Sequence, residues 1–350
     1  MSACAASGTK NPLMTTAPQV TVADAAAIAR DYFGVDADVR LLTSERDKNF
    51  RLSAADGREY VLKVTNSAED PAVTNFQTEA LRHIEQQDAT LPVPRVFVAK
   101  DGRSEQSLRL GSQDHVVRLL SYLPGEPLYR TPASFHQRKE LGRCLALIGL
   151  ALRDFRHPAA RHELLWDISN ASKLRDRLIH IIDDNLRGLA TEFLGVFEAN
   201  VLPVRRWQRH QVVHNDFNPH NVLVDPTDPS RVTAVLDFGD MVETSLINDV
   251  AIAASYQVSG EHSLNWAAEF VAAYHSVSPL QPEEIEILFE LIAVRLVTTI
   301  TITEWRAQLY PENRAYIMRN HPRAAEGLKS FAAIDRARAQ KVFRQACGME

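Results

Sequence analysis

The chain is poor in cysteine, in strongly basic stretches and in long apolar runs, and each shortage closes off a class of protein. Only three cysteines occur, Cys4, Cys144 and Cys347. An odd, unpatterned set argues against a disulfide framework and for free thiols in a reducing compartment, so the expected location is cytoplasmic. Cys144, inside Leu141-Gly142-Arg143-Cys144-Leu145, reads as a packed core thiol rather than a nucleophile. No segment approaches the ~20 unbroken apolar residues that a membrane helix needs. Formal net charge is −5, which argues against nucleic acid or an anionic membrane surface as the main partner. Met1 to Pro18 lacks a basic start followed by an apolar run and reads as a disordered tail rather than a secretory leader. Oligomeric state has no signature.

What is present is an ordinary globular composition, with 45% hydrophobic and 24% charged residues over 350 positions, enough for two lobes with separate cores. Helical spacing over Thr21 to Tyr32 is followed by three strand-like runs, Val39 to Thr43, Asn49 to Ser53 and Tyr60 to Thr65. The second and third are joined by a turn carrying Asp56-Gly57, a hairpin signal. A helix is expected over Asp70 to Gln87, with Pro71 tolerated in its first turn. Further strands are expected at Val96 to Ala99 and His115 to Tyr122. This order predicts a small antiparallel sheet with a helix on it over residues 19–122.

Leu123-Pro124-Gly125-Glu126-Pro127 is turn-rich and marks a hinge at 123–127. Residues 128–350 form a second, mostly helical lobe. Helices are expected at Phe135 to Phe155, Ala171 to Leu186, Leu189 to Arg209, Ile247 to Val258, Leu264 to Tyr274, Pro282 to Thr303 and Pro322 to Phe343. Between them Val222 to Val224 and Val232 to Leu236 pair as a hairpin, the lobe's only expected strands. The fold class is α+β, a two-lobed arrangement.

The most informative stretch is His214-Asn215-Asp216-Phe217-Asn218-Pro219-His220-Asn221, followed by Leu236-Asp237-Phe238-Gly239-Asp240. It reads His-x-Asp-x-x-x-x-Asn and then a second aspartate, each part embedded in aliphatic residues. Phosphoryl transfer needs a group to orient the acceptor hydroxyl and oxygen ligands for a cation that neutralises developing charge. Asp216 suits the first role. Asn221 and Asp237, hard oxygen donors, suit Mg2+ rather than zinc. His214 is expected to steady the loop. Asp249, near the start of the next helix, reads as structural. The short distance from Asp237 to that helix leaves no room for an activation segment, and no Ala-Pro-Glu follows. The acceptor is therefore expected to be a small molecule.

Lys63, in the apolar run Tyr60 to Val64, needs a partner if it faces inward. Glu79 on the following helix is the expected one, the pair holding nucleotide phosphates; an edge lysine pointing to water is the alternative. Ser44 to Asn49 connects the first two strands where a phosphate-covering loop would lie. It contains no glycine, so backbone amides with Ser44 or Asn49 would make the contact, or it is a plain polar turn.

Together these pieces resemble the aminoglycoside phosphotransferase and choline kinase superfamily, small-molecule kinases with a protein-kinase-like fold. Four segments resemble its hydroxylysine kinases in particular: Asp47-Lys48-Asn49-Phe50, Val117 to Gly125, Leu236 to Met241, and Gln308-Leu309-Tyr310-Pro311-Glu312-Asn313. The resemblance implies transfer of the γ-phosphoryl of a purine nucleoside triphosphate, GTP or ATP, to the hydroxyl of 5-hydroxylysine, with Leu120 and Tyr122 at the nucleotide. Asn215 departs from the glycine common in this family. For an acceptor with a carboxylate and two amines, Arg295 is the expected anion partner and Asp240 or Glu304 the ammonium partner, with Trp166 nearby. A structural Arg295 is the alternative. Rival readings are a homoserine, aminoglycoside or amino-alcohol kinase of the same superfamily, or a nucleotide-binding module without activity.

Overall fold

The computed structural model describes Thr15 and residues 17–44, 46–258 and 260–350. Of the tail expected at Met1 to Pro18, all but Thr15, Ala17 and Pro18 lies outside the described residues. The chain divides into two compact units, one running to Pro124 and including His157–Ala159, the other holding Gly125–Arg156 and Ala160–Glu350.

In the first unit, Thr21 caps helix α1 (Val22–Ile28) through a reciprocal bond with Asp24. A π-turn over Ala29–Phe33 ends at Gly34, whose φ of 71° stops the helix. Strands β1 (Ala37–Leu42), β2 (Lys48–Ala54), β3 (Glu59–Val64), β4 (Val96–Phe97), β5 (Gln106–Leu110) and β6 (Gln113–Ser121) build one sheet. Its order is β1-β2-β3-β6, with β4 and β5 both alongside β6, and every pairing is antiparallel. β5 is an addition to the expected set. Helix α2 (Pro71–Gln87) starts where Asp70 caps the Ala72 N–H at 2.8 Å.

Alternation decides the two faces of this sheet. Phe50, Leu52, Tyr60, Leu62, Val64, Val117 and Leu119 pack with Ala25 and Ile28 of α1 into one core. The intervening residues Asn49, Lys63 and Arg118 face one another in register across β2, β3 and β6. A row of polar groups thus sits on the face opposite the apolar core.

The second unit begins with β7 (Glu126–Pro127), α3 (Phe135–Leu152) and α4 (Asp184–Asn200). Strands β8 (His210–Val213), β9 (Val222–Val224), β10 (Val232–Val235) and β11 (Val242–Ser245) follow. Helices α5 (Leu246–Ser255), α6 (Ser263–His275), α7 (Pro282–Glu286), α8 (Leu288–Leu309), α9 (Arg314–Ile317), α10 (His321–Ala332) and α11 (Arg336–Ala346) complete it. α8 is buried along almost its whole length and packs against α4, α5 and α10.

Five expectations are corrected here. The hairpin β9–β10 forms, but β7 joins it, and β8 pairs with β11, so this unit holds more strands than expected. The helix expected over Ala171 to Leu186 is instead a run of 3-10 turns over Ile168–His180. Asp183 then caps a new helix by accepting the Leu186 N–H at 3.0 Å, and the helix expected from Leu189 to Arg209 gives way to 3-10 turns over Leu202–Trp207. The helix expected over Pro282 to Thr303 breaks at Ile287, and the one over Pro322 to Phe343 breaks where Asp335 caps α11. No helix among the described residues is long and apolar enough to cross a membrane.

Candidate active site

Two ladders in the helical unit assemble the site. In β9–β10, Val222 pairs with Val235 and the Leu236 N–H donates to the Asn221 carbonyl at 2.7 Å. This brings Asn221 beside Asp237. In β8–β11, Val213 pairs with Val242, so the loop beginning at His214 meets the turn Phe238–Asp240.

His214 fastens these pieces from within. It is fully buried. Its Nε2 lies 3.1 Å from the Leu236 carbonyl, which can only accept, so Nε2 carries the proton and Nδ1 accepts the Asp216 N–H at 3.2 Å. Burial lowers its pKa, which keeps the ring neutral and this tautomer in place. Its ring also stands edge-on to Phe238, 4.7 Å between centroids.

Asn215 adopts φ 63°, a left-handed conformation in which asparagine is among the few tolerated side chains after glycine. Glycine and asparagine are therefore the residues that best answer this backbone requirement. The kink is held by Asp249 on α5, whose Oδ1 accepts the Asn215 N–H at 2.8 Å. Burial pushes the Asp249 carboxyl up to about 6, against the pull of the Asn215 and His214 N–H groups. Asp249 is a buried support for the loop from His214 to Asn221, while the N-cap of α5 is Ser245.

The Asp216 carboxyl is 19% exposed and held from three sides. Asn218 Nδ2 and Asn221 Nδ2 donate to Oδ2 at 2.9 and 2.7 Å, and Arg295 Nη2 donates to Oδ1 at 3.3 Å. Burial and the Asp240 carboxylate push its pKa up, opposed by Arg295 and Asn218, with Asp237 adding to the rise. Asp240 and Asp237 thus both disfavour the charge on Asp216, a concentration of negative charge that a divalent cation would relieve. Asn221 spends its amide nitrogen on Asp216, leaving its carbonyl oxygen as a donor, and Asp237 stands exposed at φ 58° with Oδ1 accepting the Gly239 N–H at 3.2 Å. No group of three or more His, Cys, Asp or Glu among the described residues forms a self-sufficient cage. One carboxylate and one amide carbonyl is a donor set that suits Mg2+, which keeps water and substrate phosphates in its shell.

Arg295 is 1% exposed. Its Nη1 donates to the Trp166 carbonyl at 3.1 Å, Nη2 also reaches the Tyr256 hydroxyl at 3.4 Å, and the guanidinium lies 5.3 Å from the Trp166 ring centre. The charge of Arg295 is thus spent on Asp216 instead of standing open to an acceptor carboxylate. Trp166 is placed by its neighbour Asp167, whose Oδ1 accepts from the Ser169 N–H at 2.9 Å and the Thr244 hydroxyl at 3.1 Å. Asp240 is buried beside Asp216. Glu304 does not join this cluster: it lies against His321, Oε1 to Nε2 3.0 Å.

In the sheet unit the expected Lys63–Glu79 pair is not formed. Lys63 Nζ lies 3.1 Å from Asp47 Oδ2, while Glu79 accepts from Arg82 at 3.1 Å one turn along α2. The polar residues that α2 turns toward the sheet are Thr74, Gln77 and Thr78, and they take Arg118: its Nη2 donates to Gln77 Oε1 at 3.1 Å. Ser44 Oγ donates to the Asp47 carbonyl at 2.6 Å. Asn49 faces Lys63 across the strands with its Oδ1 buried and without a donor. Leu120 is buried, and the Tyr122 ring lies 4.1 Å under the Arg51 guanidinium. Asp47, Asn218, Tyr256 and Asp249 are the groups whose contribution the sequence reading missed or understated. Asp47 was within reach of it, since it opens one of the four resembling segments.

The family match and the related kinases make this chain a small-molecule phosphotransferase, a kinase with a hydroxyl acceptor. Residues 38–286 match the Phosphotransferase enzyme family, APH, and the chain belongs to it. It is similar to hydroxylysine kinase of Mus musculus, 28% identical over 326 residues covering 86% of each chain. Similarity to homoserine kinase of Parvibaculum lavamentivorans is 27% over 285 residues, 80% of each chain. Among solved structures, a microcompartment-associated aminopropanol kinase superposes with a TM-score of 0.68 at 18% identity, covering 91% of this chain and 97% of that one. Amicoumacin kinase hAmiN, in complex with AMP-PNP, Ca2+ and Ami, gives a TM-score of 0.67 at 13% identity, covering 89% and 95%. The protein-kinase-like fold read from the sequence is the fold of these structures.

Proposed function

We propose that the enzyme transfers the γ-phosphoryl of ATP or GTP to the hydroxyl of 5-hydroxylysine or a similar hydroxylated amino acid. The observation that carries this reading is the Asp216 carboxylate, fixed by Asn218, Asn221 and Arg295 beside Asp237 and Asp240. Asp216 orients the acceptor hydroxyl and takes its proton as the new P–O bond forms and the bond from the γ-phosphorus to the bridging oxygen breaks, releasing the nucleoside diphosphate. Asn221 and Asp237 would hold Mg2+, which supplies charge neutralisation at the phosphates. Lys63 holds nucleotide phosphates, with Leu120 and Tyr122 at the base. Asp240 and the Trp166 ring are suited to an acceptor ammonium. The hydroxylysine assignment is supported by four hydroxylysine kinases, each 28% identical over 86–87% of this chain. Buried free thiols at Cys144 and Cys347 suit a reducing compartment, and we place the reaction in the cytoplasm.

A second reading, a homoserine or amino-alcohol kinase, draws on the homoserine kinase likeness. One screen separates them: purified protein, Mg2+, ATP or GTP, and a panel of hydroxylysine stereoisomers, homoserine, aminopropanol and an aminoglycoside, with nucleoside diphosphate release as readout. The expected result is the highest kcat/KM on a hydroxylysine isomer. Diphosphate release no faster with any acceptor than without one would sink the kinase reading. A preference for homoserine would replace the acceptor alone.

A further inference from the structure

A lysine that grips phosphate from the middle of a sheet must be held in one place, because its four-carbon stem is otherwise free to wander. The carboxylate expected to do this, Glu79, is 38% exposed and turned to Arg82. Asp47, in the turn between β1 and β2, does reach Lys63. The two side chains are only 18% and 15% exposed, and they lie 3.1 Å apart.

The turn that carries Asp47 is pinned. Asn66, just beyond β3, gives its N–H to Asp47 Oδ1 at 2.9 Å and its Nδ2 to the Arg46 carbonyl at 3.0 Å. Its own Oδ1 accepts from the Ala68 N–H at 2.9 Å. Burial pushes the Asp47 carboxyl up, but Lys63 first, then the Asn66 N–H, Arg46 and Arg118, bring it below the usual aspartate range, so it is charged opposite the lysine. The absence of glycine between Ser44 and Asn49 then has a physical sense, since a turn fixed by side-chain bonds needs none of glycine's freedom.

We infer that Asp47, locked by Asn66, is the positioning residue for Lys63 and takes the part the sequence assigns to Glu79. The inference rests on Lys63 as the phosphate-binding group. Four variants of the full chain test it: Asp47→Asn, which keeps the shape and the acceptor for the Asn66 N–H but removes the charge, Glu79→Gln, Lys63→Met, and Asp47→Asn with Lys63→Met. Affinity for the non-hydrolysable analogues of ATP and GTP with Mg2+ is read by calorimetry. Asp47→Asn and Lys63→Met should each weaken binding roughly 10-fold, and Glu79→Gln less than about twofold. In the Lys63→Met background Asp47→Asn should add nothing, because it acts through the lysine. If Asp47→Asn does not fold, Asn66→Ala, which frees the turn and keeps both charges, should show the same dependence on Lys63. Wild-type affinity in Asp47→Asn with weakened Lys63→Met overturns the positioning role alone, as does an equal loss in both backgrounds. Unchanged affinity in Lys63→Met removes the reading of Lys63 itself.

Discussion

At the scale of single residues, the proposed function separates groups that would touch the reacting atoms from groups that hold them. Asp216→Asn keeps volume and loses basicity. Nucleotide affinity should stay near that of the parent while kcat falls roughly 10²–10⁴-fold; near-normal turnover would take Asp216 out of its role. Arg295 permits a sharper decision, since it is closed around Asp216, Trp166 and Tyr256. Arg295→Lys cannot reach all three from one point charge, so kcat should drop with little change in KM for the acceptor. A raised KM at constant kcat would instead return Arg295 to the acceptor's carboxylate. Asn215 offers a stability test. Both polar atoms of its amide are buried without hydrogen-bond partners, at φ 63°. Asn215→Gly should therefore raise the unfolding free energy by about 1 kcal/mol, whereas Asn215→Ala, strained at that φ, should lower it; chemical denaturation reads both.

At the scale of elements, close helix contacts make stability predictions that owe nothing to catalysis. Gly142 lets α3 approach α6: a Cβ there would sit 2.4 Å from the Phe270 carbonyl oxygen and 3.0 Å from the Ala273 Cβ. Gly142→Ala should cost about 1–3 kcal/mol, because the obstacle is helix backbone that must shift. Gly188 in α4 has nothing within 4 Å, and Gly188→Ala should gain roughly 0.4–1 kcal/mol by reducing the freedom of the unfolded chain. Equal effects of the two would refute the packing argument. The elements also show what a sequence can and cannot disclose. Asp216, Asn221 and Asp237 were legible because their chemistry restricts residue type and the flanking aliphatic runs announce the strands that join them. The partner of Lys63 was not. Spacing says which residues share α2, but not which turn of it faces the sheet, and Asp47 sits in a turn without periodicity. Ile168–His180 has helical composition, yet Asp167 bonds the Ser169 N–H and Asn170 Nδ2 donates to the Leu164 carbonyl at 3.0 Å, local bonds that compete with an α-helix. The break at Ile287 carries neither proline nor glycine to mark it.

At the scale of the whole molecule, the three carboxylates make a prediction about how the chain responds to ligand. Asp237 and Asp240 both raise the cost of charging Asp216, so the site without a cation holds repulsion that opposes folding. A divalent ion and a nucleotide bound to the folded chain remove that repulsion and add their own binding energy, and a ligand at 100 times its Kd stabilises by about 2.7 kcal/mol. Thermal unfolding should therefore shift upward with nucleotide plus Mg2+, and much less with nucleotide and a chelator. Asp237→Asn removes one source of repulsion and the charge of a proposed cation donor, and keeps a side chain that tolerates φ 58° and can still accept the Gly239 N–H. Its Tm without ligand should equal or exceed that of the parent, while the Mg2+-dependent part of the nucleotide shift should vanish. The two effects have opposite signs, which separates a lost binding site from a damaged fold, since damage would lower both. A full Mg2+-dependent shift in Asp237→Asn would mean that the cation is held elsewhere.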